Sequence, residues 1–543
     1  VKLVLECLGA QNHFILSLLD DSSKIDAISM NSALISFISS AVAAALLAPL
    51  VAICARWLGI VDRPDGHRKL HTVVVPLTGG PTVLLSILLG VFATLAAFPN
   101  LLLATDGDIR FLLSLAGASF LIVFVGILDD RFGLRGRQKL AGQFLAALIM
   151  VPSGIMIRRI ELFGYPVEFG DVAPFITVFW ILGAINALNL IDGVDGLAST
   201  TGIILSLSVA AVTYIMGGRA DGLMISLALA GALSGFLIYN FPPARMFLGD
   251  SGSMLIGLVL GCVALKCSLK QYAAAALIMP TAIWAIPIFD VAMAIVRRRL
   301  TGRSIYTTDR GHLHHCLVRQ GHTGGRLLLI VGSLCCLTGA GAVAAAAFNN
   351  EMMAIIAVLT ALSLLVVTRS FGHAELNLLT NRVRRFAGSL VRRVQEPSQV
   401  LHDEQVRLHG QHKWEHLWLT LTEFAEEYEL DGVELMVNLP SAGEEYHGTW
   451  RTRSRVEHHE AWRSDIPLVI DGVRAGHIRL VGVAREGSLC EWMNNIISGL
   501  RPFEIQLREI IGHLKSQRGA ITEVRRDSTD MVQRPVIAEQ VPG

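Results

Sequence analysis

Apolar and polar positions are distributed very differently in the two parts of this chain. Up to about residue 369, apolar runs alternate with short polar loops; beyond that point no apolar run is long enough to span a bilayer. An α-helix rises about 1.5 Å per residue, so about 20 apolar residues cross a hydrocarbon core. Runs of this order lie at 32–55, 74–98, 111–128, 140–157, 174–191, 200–216, 222–241, 252–268, 272–295, 327–347 and 351–368, eleven in all. The pattern predicts an all-α polytopic membrane protein with about 11 transmembrane helices over 31–369. It places an N-terminal lead-in at 1–30, which lacks the basic, apolar and small-residue order of a signal peptide.

The last third reads otherwise. Residues 370–410 form a basic juxtamembrane linker carrying Arg382, Arg384, Arg385, Arg392 and Arg393. Over 411–517 a helix ("HKWEHLWLTLTEFAEEYEL") precedes short alternating segments ("GVELMVNL", "HGTWRTRS", "IPLVIDG", "GHIRLVGVA") and a closing helix from about Cys490. This predicts a small α+β domain, followed by a disordered tail at 518–543. No ligand motif stands out in the domain, and its role, partner and ligand are unknown.

Composition agrees with lipid: 52% of the 543 residues are hydrophobic and 17% charged, against about 25% charged in soluble domains. The net charge of +1 averages two unlike parts and offers no sign of nucleic-acid binding. Eight cysteines, with no CxxC pair, sit mostly in apolar runs and read as small core residues.

Loop charge sets an orientation. With the N-terminus outside, the inside loops hold sixteen Lys and Arg residues and the outside loops six, the bias expected of an N-out, C-in protein. That orientation makes the C-terminal domain cytoplasmic. It also gathers five polar stretches on the cytoplasmic side: "DRPDGHRKLH", "GILDDRFGLRGRQK", "NALNLIDGVDG", "FLGDSG" and "DRGHLHHCLVRQGH".

Each stretch has a plain reading and a chemical one. Asp129 and Asp130 end an apolar run; either they form a solvated helix end paired with Arg131, or they bind a cation or handle a proton. Asn186 and Asn189 share a helical face, and Asp192 and Asp195 follow between glycines. This is either a capping turn or a set of oxygen ligands for a hard cation such as Mg²⁺. Asp250 opens a run between Gly249 and Ser251, as an N-cap, a metal ligand, or both. His312, His314 and His315, beside Arg310, suit a pyrophosphate better than zinc, since no thiol pair or HExxH accompanies them. Arg68, Lys69 and His71 lead into a Pro-Gly-Gly bend. No Walker A motif or strand-linked GxGxxG is present.

Taken in order, "RKLHTVVVPLTGG", "LDDRFGL", "NALNLIDGVDGLA", "FLGDSGS" and "GHLHH" resemble the polyprenyl-phosphate N-acetylhexosamine-1-phosphate transferases over about residues 40–368. The spaced histidines are similar to the branch that transfers N-acetylglucosamine-1-phosphate to undecaprenyl phosphate. The phospho-MurNAc-pentapeptide transferases tend to carry three consecutive ones. The resemblance implies an Mg²⁺-dependent enzyme, with Mn²⁺ as an alternative ion, of the bacterial inner membrane. It would take a UDP-N-acetylhexosamine, release UMP, and start a lipid-linked envelope glycan such as lipopolysaccharide O-antigen or teichoic acid. It further implies that Asn189 and Asp250 hold the metal and that Asp129 and Asp130 face the lipid phosphate. Asp192 and Asp195 would line the nucleotide side, and His312, His314 and His315 would act on phosphates or sugar. Arg68, Lys69, His71, Asn186 and Arg310 would bind substrate. A homodimer is compatible with this reading. A secondary transporter would place its charges near mid-membrane and show internal repeats; a membrane-anchored signalling protein leaves the aspartates unexplained.

Overall fold

The computed structural model describes residues 31–63, 74–99, 101, 109–162, 165–217, 220–268, 278–300 and 311–373. Towards the C-terminus it describes 376, 380, 400–409, 414–439, 444–452, 461–470, 473–483, 496, 498–500, 503, 505–507 and 509. Arg68, Lys69, His71 and Arg310, the lead-in and the tail lie outside the described residues. The chain divides into two units, Val1–Glu375 and Leu376–Gly543.

The first unit is helical: α1 (Asn31–Leu58), α2 (Gly79–Ala97), α3 (Ile109–Phe132), α4 (Gly136–Met150), α5 (Ala173–Ile191), α6 (Leu197–Ile215), α7 (Ala220–Asn240), α8 (Gly249–Ser268), α9 (Ile278–Ile283), α10 (Ala285–Leu300), α11 (Leu313–Arg319), α12 (Gly325–Phe348) and α13 (Met352–Val367). Helix occupies part of each of the eleven apolar runs. Among the described residues, eight helices are long and apolar enough to cross a membrane. The other three runs are shorter as helix. α4 has 15 residues and α13 has 16, about 22–24 Å at helical rise, below a hydrocarbon core of about 30 Å. The run at 272–295 breaks at Trp284 into α9 and α10. Pro287 lacks the N–H that a continuous helix would bond four residues back, so a helix restarting at Ala285 puts the proline in a first turn, where no such bond is needed.

α8 is the centre of the bundle. Burial covers 89% of its spanning window, against 22% for α1. Glycines let neighbouring helices reach it. A Cβ on Gly126 of α3 or Gly80 of α2 would overlap Ser251, and one on Gly257 of α8 would overlap the α5 backbone at Ala184 and Ile185. A two-residue ribbon, β1 (Val61–Asp62) with β2 (Val75–Pro76), lies before α2. The backbone of Phe247 bonds to that of Pro76, Thr78 and Gly79, which ties the "PLTGG" bend to the entry of α8. A second hairpin, β3 (Arg159–Leu162) with β4 (Tyr165–Glu168), precedes α5.

The second unit is an antiparallel five-stranded sheet of order β5-β7-β6-β9-β8. Its strands are β5 (Val400–His409), β6 (Gly432–Leu439), β7 (Glu444–Thr452), β8 (Ala461–Ile470) and β9 (Val473–Val483). Helix α14 (Trp414–Glu427) shares a core with the sheet: Trp414, Trp418 and Leu421 are fully buried with Val433, Leu435, Tyr446 and Ile478. Gly448 leaves room for the Trp418 ring. At the alternate positions Arg479 joins Asp465 and Glu434 across three strands, at 2.7 and 2.9 Å. The linker expected at 370–410 needs correction at its end, since Val400–His409 forms the edge strand beside β7.

Candidate functional site

The entry of α8 is built around Asp130. The left-handed Gly249 (φ +72°) begins the helix, leaving the N–H groups of its first turn without helical partners. Asp130, from the end of α3, supplies what a local cap would. Its Oδ1 accepts the N–H of Asp250 at 2.8 Å; its Oδ2 accepts the Ser251 hydroxyl at 2.8 Å and the Ser251 N–H at 3.3 Å. Hydrogen bonds to an ionised acceptor are worth about 1.5–3 kcal/mol each. Asp130 therefore fastens α3 to α8 through both oxygens. The capping expected of Asp250 or Ser251 comes instead from a residue 120 positions earlier in the chain.

Asp129, its neighbour, turns to a different task. Its Oδ1 accepts the Leu134 N–H at 2.8 Å, and its Oδ2 lies 3.0 Å from Lys139 Nζ. The same ammonium is 2.9 Å from Asp250 Oδ1. Lys139 comes from the first turns of α4, brought beside Asp129 by the short turn at 133–135. The Asn189 amide donates to Asp250 Oδ1 and, at 2.9 Å, to Ser253 Oγ, which leaves its carbonyl oxygen as the available end. One lysine thus serves two carboxylates, with Asp130 immediately behind them.

Asp192 caps the end of α5 close to this group. Burial first, then the charges of Asp250 and Asp130, hold its carboxyl well above the usual carboxylate range, against the pull of Ser253 and Lys139. Among the described residues of this group, Asp129, Asp130 and Asp250 outnumber Lys139 even with the Asp192 carboxyl held towards its neutral form, an arrangement that favours an added cation. Among the described residues no group of three or more His, Cys, Asp or Glu side chains forms a ready-made metal cage. A cation here would need water or substrate oxygens to complete its shell, as Mg²⁺ commonly does.

Two expected site residues face scaffold. The Asn186 amide donates to Gln143 Oε1 at 2.8 Å and to Leu182 O at 2.8 Å. Gln143, fully buried in α4, also reaches Met254 Sδ at 3.3 Å, so the pair joins α4, α5 and α8. Asp195 Oδ2 accepts the Ala244 N–H at 2.9 Å, while Ser199 and Met246 hold Asn240. These bonds fix the loop between α7 and α8.

The histidines divide. The His314 ring packs against Gly193, where a Cβ would overlap it, and so stands beside Asp192. Both its ring nitrogens are buried without a hydrogen-bond partner. Burial, and then His315 and His312, lower its pKa to about 3, so it is neutral at neutral pH. His315 packs on His314 with ring centroids 4.2 Å apart. His312 instead binds the buried Asp290 of α10, Nδ1 to Oδ2 at 3.1 Å. The structure therefore brings together Asp129, Asp130, Asn189, Asp192 and Asp250, with His314 against the Asp192 loop.

Lys139, Gln143, Ser253 and Asp290 escaped the sequence reading. Only Lys139 leaves a signal in the sequence, since it ends the "DDRFGLRGRQK" stretch.

Residues 112–268, which include Asp129, Asp130, Lys139, Asn189, Asp192 and Asp250, match the family model described as glycosyl transferase family 4. Over 302 residues the chain is 33% identical to a probable undecaprenyl-phosphate N-acetylglucosaminyl 1-phosphate transferase of Bacillus subtilis, covering 55% of this chain and 80% of that protein. It is 35% identical over 323 residues to a decaprenyl-phosphate N-acetylglucosaminephosphotransferase of Mycobacterium tuberculosis, covering 55% and 79%. A phospho-N-acetylmuramoyl-pentapeptide-transferase of Streptococcus pneumoniae is 38% identical over a shorter 202 residues, 35% of this chain and 59% of that protein.

Proposed function

Because the chain belongs to the polyprenyl-phosphate hexosamine-1-phosphate transferases of glycosyl transferase family 4, membrane-embedded phosphotransferases, we propose that it transfers N-acetylglucosamine-1-phosphate from UDP-N-acetylglucosamine to undecaprenyl phosphate. UMP is the second product, and Mg²⁺ the ion. The observation that carries the reading is the excess of carboxylates over ammonium groups among the described residues at the entry of α8, with the unpartnered His314 ring beside it. The cytoplasmic orientation of this end is part of the proposal and rests on the sixteen-to-six bias of loop charge, a count in which each of the eleven apolar runs crosses, the short α4 and α13 included. The membrane is accordingly the bacterial inner membrane.

The donor set fits a hard cation, with the Asn189 carbonyl and the Asp250 carboxylate as its protein ligands. When bound, the ion neutralises charge on the pyrophosphate and on the leaving phosphate. Lys139 then serves the phosphate that Asp129 and Asp250 alone would repel. An oxygen of the lipid phosphate forms a bond to the donor's β-phosphorus. The bond from that phosphorus to the bridging oxygen breaks, and its electron pair leaves on UMP. No base has to remove a proton, because a phosphate monoester with a second pKa of about 6 is largely ionised near pH 7. Asp130 acts as a brace, fixing Asp250 through its backbone. Asp192 and the neutral His314 line the donor side, where an imidazole with two free nitrogens offers one hydrogen bond of either kind.

The test is UMP release by purified protein in detergent with undecaprenyl phosphate and Mg²⁺, comparing UDP-GlcNAc, UDP-GalNAc and UDP-MurNAc-pentapeptide. The reading expects release with UDP-GlcNAc, abolished by chelation. Release only with UDP-MurNAc-pentapeptide would move the protein to the other branch, and no release from folded protein with any donor would contradict the assigned reaction.

A further inference from the structure

Outside the aspartate cluster, a second buried carboxylate, Asp290, is bonded through both oxygens. It lies on α10, is 1% exposed, and uses both oxygens on the start of α11. Oδ1 accepts the Leu313 N–H at 2.8 Å and Oδ2 meets His312 Nδ1 at 3.1 Å. From the same helix the buried Arg297 donates to Gly311 O at 2.8 Å, so the residues on both sides of His312 are held by α10. The first bond alone would serve to cap a helix. The second does something a cap does not need: a carboxylate accepting from Nδ1 fixes the ring and keeps a proton on that nitrogen. Among the described residues Nε2 is left without a partner. The ring it belongs to lies parallel to His314, at an interplanar angle of 4° and a centroid separation of 6.1 Å, and His314 abuts Gly193 next to Asp192.

We propose that Asp290 is a positioning residue for the transferase reaction, acting through His312: it sets the ring's orientation and tautomer so that Nε2 is the nitrogen presented to the phosphates of the bound donor. The inference rests on the transferase reading for its kinetics, but its structural half stands apart from that reading.

Asp290→Asn is the informative change. An asparagine still offers an oxygen to the Leu313 N–H, yet its amide now donates to Nδ1 and moves the ring proton to Nε2. Spectra of ¹⁵N-histidine-labelled protein, with His312→Gln to assign the signal, read this without any turnover. The expected result is a protonated Nδ1 in the wild type and a protonated Nε2 in Asp290→Asn. In UMP release, Asp290→Asn should lower kcat about 10–100-fold, the usual loss when an orienting partner is removed, with KM for undecaprenyl phosphate unchanged. Asp290→Glu should recover part of the rate. In the background of His312→Gln, Asp290→Asn should cost nothing more, because the two act as one unit. Equal losses in both backgrounds, or an unchanged His312 tautomer, would overturn the proposal and leave Asp290 as a cap. A wild type without turnover would instead defeat the transferase reading, and the tautomer would still decide the role of Asp290. Should Asp290→Asn not fold, Asp290→Glu serves the double-mutant cycle, its partial loss of rate vanishing in the His312→Gln background, and the wild-type spectrum decides the tautomer, a protonated Nε2 there overturning the proposal.

Discussion

Helix α8 carries a lysine–aspartate contact at each end, and the two are built to opposite specifications. At its far end Lys266 meets Asp221 of α7 at 2.5 Å, with side-chain exposures of 8% and 0%. The Phe111 ring covers the ammonium at 3.6 Å. Both side chains of this contact are buried. At its entry Lys139 is shared by Asp129 and Asp250, the Asp250 side chain is 36% exposed, and Asp130 adds further negative charge. A buried contact between opposite charges has no capacity for a ligand; an open site with a surplus of carboxylates does. What separates the two ends is the surplus of charge and the route to solvent, since residue types and distances are alike.

That contrast can be broken experimentally. The largest effect belongs to Asp250→Asn, which removes a proposed metal ligand while keeping the shape. UMP release should fall on the order of 10²–10³-fold, as when a principal electrostatic group is lost, while the folded fraction and melting temperature stay near those of the wild type. Lys266→Met attacks the other end. It takes the ammonium away from a buried carboxylate, at a cost of about 3–5 kcal/mol, seen as a drop in melting temperature; Asp221→Leu added to it should restore stability. Should Lys266→Met leave stability unchanged, the far pair is not the structural element described here.

A pH series sharpens the entry end. The buried His314, with its pKa lowered to about 3, ordinarily titrates near 6.5 when unfolded. Its contribution is fully present above pH 6.5 and is lost as pH falls towards 3, where the unfolded chain binds the extra proton. The wild-type melting temperature should therefore fall more steeply than that of His314→Gln over that window, by an amount equivalent to a few kcal/mol at its acid end. Parallel curves would mean that His314 is hydrated. The smallest effect is expected from Gly332→Ala, whose methyl would press on the tip of the Ile204 side chain at 3.3 Å. Overpacking of this kind costs about 1–3 kcal/mol, and the melting temperature should fall while KM for the donor is unchanged.

The spans and the order of the polar stretches were legible because both are local. Apolar runs mark helices wherever they fall, and Asn189, Asp192 and Asp250 announce themselves as polar residues at helix mouths. Partnership was not legible. Nothing near Asp130 indicates that it caps a helix 120 positions on, and Asp129 beside it looks equivalent although it faces Lys139. Asn186 looked like a ligand because it shares a face with Asn189; its partner Gln143 is a single polar residue inside the apolar run of α4. Asp290 lies in an apolar run with no motif around it. Strand β5 was missed because "VLHDEQVRLH" is too polar to read as core, and its pairing with β7 comes from an edge that only the folded sheet provides.

The central claim is that the entry of α8 is a divalent-cation phosphotransfer centre and the far end a structural pair. The most direct measurement is UMP release across Mg²⁺ concentrations for the wild type, for Asp250→Asn and for the Asp221→Leu, Lys266→Met double variant. The account predicts saturable Mg²⁺ dependence in the wild type and in the double variant, and a flat, near-zero response in Asp250→Asn. A wild-type Mg²⁺ response surviving in Asp250→Asn, or lost in the folded double variant, would contradict it.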